Sequence, residues 1–260
     1  MRLKISLVAD YNKLTCNFNY SFSAAIYKML NFGSPEFAAF LHDIGYPELH
    51  KNYKLFSFAL EFEKFKAIDN ELFLISPNVT LYVTSPLIDD FLRNFVIGAF
   101  QNNKISITSH YNIIGFSIKQ IEALPQPYFT QRMNYRMLSP LVLSTGREYN
   151  GELKQYFLRY TDSEDINRVL TNNLISKYKI LRKRDYSGGG LELEWDREYI
   201  QRKKRVSVKI TINENALNSV DIIGIRAPFS LRGSPELMEI GYEAGFGEKN
   251  SMGFGLVSVI

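Results

Sequence analysis

The C-terminal stretch Gly241-Tyr-Glu-Ala-Gly245-Phe-Gly-Glu-Lys-Asn-Ser-Met-Gly253-Phe-Gly-Leu-Val-Ser-Val-Ile260 carries two copies of Gly-Phe-Gly, at 245–247 and 253–255, around the polar segment 248–252. Glycine adopts positive φ at little cost and lets a second backbone come close, so paired Gly-x-Gly units form a loop whose amides can turn outward toward an anion. It is not a P-loop, which needs Gly-Lys followed by Ser or Thr, nor a dinucleotide fingerprint, which needs a third glycine where Asn250 stands. Each of those also opens a helix. Here a helical stretch precedes the loop, and residues 254–259 read as a closing strand.

From the other end, residues 2–9 alternate with Leu3, Ile5 and Leu7 on one face, which predicts a strand. The run 24–30 predicts a helix that Gly33 can end. Ser34-Pro35-Glu36 starts another, because serine caps, proline suits the first helical position and glutamate complements the positive end of the helix dipole. Gly45 and Pro47 stop it just beyond His42. Residues 55–62 and 71–83 read as antiparallel neighbouring strands. Ser85-Pro86 repeats the helix start, with Ile88, Phe91, Leu92, Phe95 and Ile97 as its apolar stripe, and 104–108 continued by 111–121 supplies a last strand. The order βαββαβ predicts a ferredoxin-like sheet with helices on one face.

Pro125-Gln-Pro127 reads as the linker between a domain at 1–124 and one at 128–260. Beyond it the order repeats less regularly: a strand over 137–143, mostly helix over 152–177, a hairpin of 191–195 with 205–212, and a neighbouring strand at 219–229. Ser234-Pro235-Glu236 then starts a short helix. The fold expected is α+β, two tandem ferredoxin-like (RRM-like) domains, and 260 residues suit two domains of roughly 100–200 each.

Hydrophobic residues at 45% and charged residues at 22% argue against long disorder. Net charge is only +4, so a nucleic-acid surface has to come from clustering. Two clusters stand out, Arg182-Lys183-Arg184 and Arg202-Lys203-Lys204-Arg205, in a longer basic run with Lys177, Lys179, Arg197 and Lys209 that Glu192, Glu194, Asp196 and Glu198 dilute. Such clusters beside a hairpin suit an RNA backbone. Cys16 is alone, which excludes an intramolecular disulfide and a cysteine-based zinc site; it reads as a small buried hydrophobe and fits a reducing cytoplasm. The apolar start is too short for a signal peptide, and no apolar run approaches the roughly 18–20 residues of a membrane helix. The reading is cytoplasmic, with no membrane partner. The histidines His42, His50 and His110 form no ligand-spaced cluster with acidic residues, so neither metal nor cofactor is expected.

The doubled Gly-Phe-Gly with Lys249 between, at the chain's end, resembles the signature of the RAMP proteins, in particular the endoribonucleases that process CRISPR repeat RNA. The tandem domains resemble that architecture as well. The resemblance implies a metal-independent endoribonuclease that cuts precursor RNA within its repeats to release guide RNAs. The RNA's 2′-hydroxyl would attack the adjacent phosphorus, leaving a 2′,3′-cyclic phosphate and a 5′-hydroxyl. In that family a tyrosine, a histidine and a lysine do this work. Ile26-Tyr27 matches the tyrosine, Leu41-His42 the histidine, and Tyr53-Lys54-Leu55-Phe56 the lysine, with Lys51 a close competitor. His42 would act as general acid or base, Tyr27 as hydroxyl orienter or second proton-transfer group, and Lys54 as stabiliser of the pentacoordinate phosphate. Gly245, Gly247, Lys249, Gly253 and Gly255 would position the RNA.

Taken without the resemblance, His42 only complements a helix end, Tyr27 is a boundary tyrosine and Lys54 a solvated strand start; His50 and His110 read as surface or structural. Repeat RNA is the implied partner, a CRISPR effector complex a second, and monomer and homodimer stay open. Two alternatives remain: a non-cleaving RNA-binding subunit of the same superfamily, and a tandem ferredoxin-like protein binding a small anion at its C-terminal loop.

Overall fold

A computed structural model describes residues 1–109, 112–212 and 219–260; His110 and the start of the 111–121 segment lie outside the described residues. In the first half the main strands are β1 (Arg2–Ala9), β2 (Ser57–Phe62), β3 (Asn78–Thr84), β4 (Lys104–Ser109) and β5 (Asn112–Leu124), in the order β2-β3-β1-β5-β4. Strand β1 buries Leu3, Ile5, Leu7 and Ala9, and Ile5 sits opposite Leu81 on one side and Ile121 on the other, both pairings antiparallel. Helices α1 (Asn19–Gly33), α2 (Pro35–Ala39) and α3 (Asn94–Asn102) contribute Phe22, Ile26, Met29, Ala38 and Phe95 to the same core. The ferredoxin-like order is therefore present, with β4 added as an extra edge in hairpin with β5.

Two first-half expectations are refined. The strand over 71–83 is divided at Ser76-Pro77, since proline has no N–H for the ladder; Glu71–Leu74 joins a small sheet with Lys13–Thr15 and Phe65–Ile68. The single last strand is two, β4 and β5.

The second half has β6 (Arg132–Met137), β7 (Ser144–Tyr149), β8 (Glu152–Phe157), β9 (Leu191–Trp195), β10 (Ser207–Ile212), β11 (Val220–Ile225), β12 (Phe229–Gly233) and β13 (Val257–Val259). Its main sheet runs β9-β12-β6-β13, again the ferredoxin-like order, and α4 (Ser163–Arg182) and α6 (Pro235–Ala244) supply Leu170, Leu174, Met238 and Ile240 to its core. A further short helix, α5, spans Arg197–Lys203. Ser234 caps α6 by accepting from the Leu237 amide with Pro235 next, as its sequence predicts.

Three second-half expectations are corrected. The strand lies at 132–137, not 137–143; the latter segment is apolar because it is buried around the C-terminal loop, whose Gly255 amide donates to the Pro140 carbonyl and whose Glu248 amide donates to that of Val142. Glu152–Phe157 is strand, not helix: Glu, Leu, Lys and Gln favour helix locally, but pairing with β7 decides. Finally, β9 pairs with β12, and the hairpin is β10 with β11, because pairing across long connections cannot be read from alternation alone.

The halves are joined by buried polar contacts. Arg2 is buried, donates to the carbonyls of Val257 and Tyr242 and stacks 3.8 Å from the Tyr242 ring centroid; burial lowers its pKa to about 10. The N-terminal ammonium lies 2.6 Å from Glu243 Oε1. Leu138, Leu256 and Ala59 form a small shared apolar cluster. No helix among the described residues is long and apolar enough to cross a membrane.

Candidate active site

Tyr27, His42 and Lys54 come together although 26 residues of sequence lie between the first and the last. Helix α1 presents Asn19, Ser23 and Tyr27, spaced four apart, on one face. The Asn19 amide donates to the carbonyls of Met252 and Gly253, Ser23 Oγ donates to that of Ser251, and the Tyr27 hydroxyl lies near the Ser251 side chain. The C-terminal loop is thus fastened along α1 and ends at the tyrosine. Burial pushes the Tyr27 phenol well above its ordinary range, with the Ser251 contact opposing in part, so Tyr27 is a neutral hydroxyl that donates rather than a base.

His42 sits in a π-helical turn, Phe40–Ile44, that continues α2, closed by the Gly45 amide donating to the Phe40 carbonyl. Such turns re-aim side chains and recur at functional sites. Gly45 has φ 67°, and a Cβ there would fall 2.7 Å from the Tyr53 carbonyl oxygen, so the turn needs glycine. The His42 ring meets Tyr27 edge-on with centroids 5.1 Å apart, and Tyr27 rests in turn on buried Phe56. His42 Nδ1 lies 2.7 Å from Asp43 Oδ1; a carboxylate accepting from Nδ1–H leaves Nε2 as the ring nitrogen able to take up or release a proton. Lys54 Nζ donates to the His42 carbonyl at 2.7 Å, tying the ammonium to the turn. Burial lowers the Lys54 pKa while Asp43 opposes. Lys51, the competitor, is instead bound to Glu248 on the C-terminal loop.

The loop itself departs from expectation. Gly245, Gly247, Gly253 and Gly255 all have positive φ, between 71° and 85°, and all are buried. The amides of Phe246, Glu248, Gly253 and Gly255 bond to carbonyls within the protein, so they serve the fold and do not turn outward. Lys177 of α4, expected in the basic surface, is wholly buried: Nζ donates to the carbonyls of Gly245 (2.7 Å) and Gly247 (2.9 Å) and to Asn250 Oδ1 (2.7 Å), while Asn250 Nδ2 bonds those of Phe246 and Phe254. Burial lowers the Lys177 pKa to about 7. In this loop Lys249 is exposed, and Glu248, Ser251 and Met252 are half-buried.

The chain's two halves also match known family descriptions: residues 13–121 that of CRISPR-associated protein Cas6, N-terminal, and residues 124–259 that of CRISPR associated protein Cas6, C-terminal. The chain belongs to the Cas6 family. It is 29% identical to the CRISPR-associated endoribonuclease Cas6 1 of Methanocaldococcus jannaschii, over 99% of this chain and 92% of that protein. It is 26% identical to the CRISPR-associated endoribonuclease Cas6 of Pyrococcus furiosus, over 100% of this chain and 90% of that one. A solved structure described as a Cas6-related gene product from Pyrococcus furiosus shares the fold, with TM-score 0.83 at 22% identity, covering 100% of this chain and 98% of that one.

On this Cas6-family scaffold the two basic clusters differ. Arg182 and Arg184 pair with Glu239 and Glu236 of α6, and Arg184 also donates to the Tyr178 hydroxyl, whereas Lys183 is exposed at the end of α4. Arg202, Lys203, Lys204 and Arg205 are exposed and form no ion pair among the described residues. His50 is exposed. Among the described residues no group of three or more His, Cys, Asp or Glu side chains is placed to hold a metal ion. The roles of Asp43, Ser251, Lys177 and Glu248 escaped the sequence reading. Asp43 could have been found beside His42, and Lys177 as a charge on the apolar stripe Leu170, Leu174, Tyr178.

Proposed function

We propose that this chain is an endoribonuclease that cleaves CRISPR precursor RNA within its repeats, by attack of the RNA's own 2′-hydroxyl and without a metal ion. The observation that carries this reading is the convergence of Tyr27, His42 and Lys54 on one accessible spot beside the Gly-rich loop. The 2′-oxygen bonds to phosphorus as the bond to the 5′-oxygen breaks; the 2′-hydroxyl gives up a proton and the leaving oxygen takes one. His42 Nε2 serves as general acid or base. Tyr27, held neutral, orients the reacting group or donates to a phosphate oxygen. The Lys54 ammonium stabilises the charge that builds on the pentacoordinate phosphate. Family membership and the names of its relatives support repeat RNA as the substrate.

Lys249, Lys183 and the unpaired cluster Arg202–Arg205 are exposed and suit phosphate contacts. Arg182 and Arg184 join only by releasing their glutamates. The four loop glycines act by shaping the loop that carries Lys249 and Ser251. The guide RNA released would pass to a CRISPR effector complex. Incubating the protein with repeat RNA in EDTA tests the reading: cleavage to fragments ending in a 2′,3′-cyclic phosphate and beginning with a 5′-hydroxyl supports it. Binding without cutting would indicate a non-cleaving RNA-binding subunit, and cutting only with added magnesium would indicate an attacking water.

A further inference from the structure

The carbonyl oxygens of the C-terminal loop are gathered from two sides. From the second half, Lys177 of α4 takes those of Gly245 and Gly247 together with Asn250 Oδ1, all within 2.9 Å of one ammonium nitrogen. From the first half, Ser57 Oγ donates to the Phe254 carbonyl and Ser23 Oγ to that of Ser251, both at 2.8 Å, and Asn19 donates to those of Met252 and Gly253. Three oxygens that converge on one point carry like partial charges and repel each other unless a cation sits between them. Without the ammonium they would also be buried acceptors with no donor, which folded proteins avoid. Lys177 therefore draws the loop closed, and the charged groups that act on it are Glu248, which favours the ammonium, and Lys51, which opposes it.

What the ammonium holds is one residue away from the site. Asn250 is buried, its Nδ2 donates to the carbonyls of Phe246 and Phe254 at 3.0 Å each, and it opens the single 3-10 turn Asn250–Met252, whose middle residue is Ser251. Ser251 is in turn the neighbour of the Tyr27 hydroxyl. The loop has little slack against the first half: a Cβ on Gly253 would fall 2.8 Å from the Phe58 ring and 2.9 Å from Asn19 Nδ2. We propose that Lys177 is a positioning residue for RNA cleavage, which acts through Asn250 and Ser251 to set where the Tyr27 hydroxyl stands against the scissile phosphate. With 1% of its surface exposed, Lys177 does not meet RNA itself. It makes α4 of the second half a support of a site whose tyrosine, histidine and lysine all come from the first.

This inference rests on the reading of the chain as a repeat-RNA endoribonuclease, so the test includes a readout that needs no cleavage. Single-turnover cutting of repeat RNA at saturating protein and equilibrium binding are measured for wild type, Lys177→Met, Tyr27→Phe and the double variant, each checked for folding through Trp195. Misplacing a reacting group by about 1 Å costs up to ~10²-fold, so Lys177→Met should slow the chemical step by about 10- to 100-fold while Kd changes by less than about threefold. In the Tyr27→Phe background the same substitution should slow it by less than about threefold, because the hydroxyl it positions is gone. Lys177→Gln, which keeps one donor for the glycine carbonyls and drops the charge, serves in the same assays where the methionine variant fails to fold. Without RNA, the ring NMR signal of Tyr27, identified by its loss in Tyr27→Phe, should shift in the Lys177 variants while that of exposed Tyr128 stays in place. A wild-type protein that does not cut, with the Tyr27 signal shifted in the variants, would sink the nuclease reading and leave the tether from Lys177 to Tyr27 standing. A folded variant whose Tyr27 signal does not move, or a slowing as large in the Tyr27→Phe background as in wild type, would overturn the proposal.

Discussion

Lys177→Met keeps a side chain of similar length in place and removes the ammonium shared by Gly245 O, Gly247 O and Asn250 Oδ1. Stranding three buried acceptors costs about 1–3 kcal/mol each. Opposing this is relief from burying a charge: lowering the lysine from 10.5 to about 7 is worth roughly 5 kcal/mol, at about 1.36 kcal/mol per pH unit. At pH 6 the two effects nearly cancel, so the informative quantity is how the difference changes with pH. The folded-state pKa lies below the unfolded one, so between about 7 and 10.5 the unfolded chain holds a proton that the folded chain has lost. Wild-type stability therefore gains from Lys177 as pH rises through that window, and is indifferent to it below, where both states are protonated. The methionine variant lacks this contribution. Its destabilisation relative to wild type should grow by about 2–3 kcal/mol between pH 6 and pH 9. Denaturant unfolding followed through Trp195, the only tryptophan and part of the second core, reads it. A wild-type-to-variant difference that stays constant from pH 6 to pH 9 would refute a buried, readily deprotonated Lys177.

His42→Ala should slow cleavage by ~10²–10⁴ with RNA affinity nearly unchanged, read by single-turnover kinetics beside equilibrium binding; an unaltered rate removes His42 from the mechanism. At saturating RNA, Lys54→Ala should slow the chemical step more than Lys51→Ala, because Lys54 is tied to the His42 turn and Lys51 to Glu248; the reverse order would move the lysine role to 51. Gly255→Val should lower the melting temperature or prevent folding, since a Cβ there would sit 1.9 Å from the Phe246 carbonyl oxygen at φ 74°; a variant of wild-type stability would show that the loop tolerates rearrangement.

What the sequence disclosed was mostly local. The Ser-Pro-Glu starts at 34 and 234 are both caps in the structure, with each serine accepting from the amide three residues on. The alternation of residues 2–9 marked the central strand correctly, down to its buried face. Less legible were features set by distant partners. Glu152–Phe157 is a strand only because Ser144–Tyr149 lies beside it, and Leu191–Trp195 finds its neighbour past an inserted helix and hairpin. The Tyr, His and Lys of the site were reached through their surroundings in a recognisable pattern, not through periodicity. Their supports, Asp43 and Ser251, are ordinary polar residues whose significance appears only when α1, the π turn and the C-terminal loop meet. The Gly-x-Gly pairs were legible as a special loop, but its polarity was misjudged. Glycine reports that the backbone must turn sharply, not which way its amides face, and Lys177 and Asn250 gather the carbonyls inward.

The roles given to Tyr27, His42 and Lys54 stand or fall on the identity of the nucleophile. Replacing the 2′-hydroxyl with hydrogen at the scissile nucleotide removes that nucleophile and leaves the phosphates, which supply most of the affinity. The deoxy-substituted repeat should bind as the all-ribose repeat does and remain uncut. Cleavage of the deoxy substrate at the same bond would show that a water attacks, and would contradict the mechanism built on these three residues.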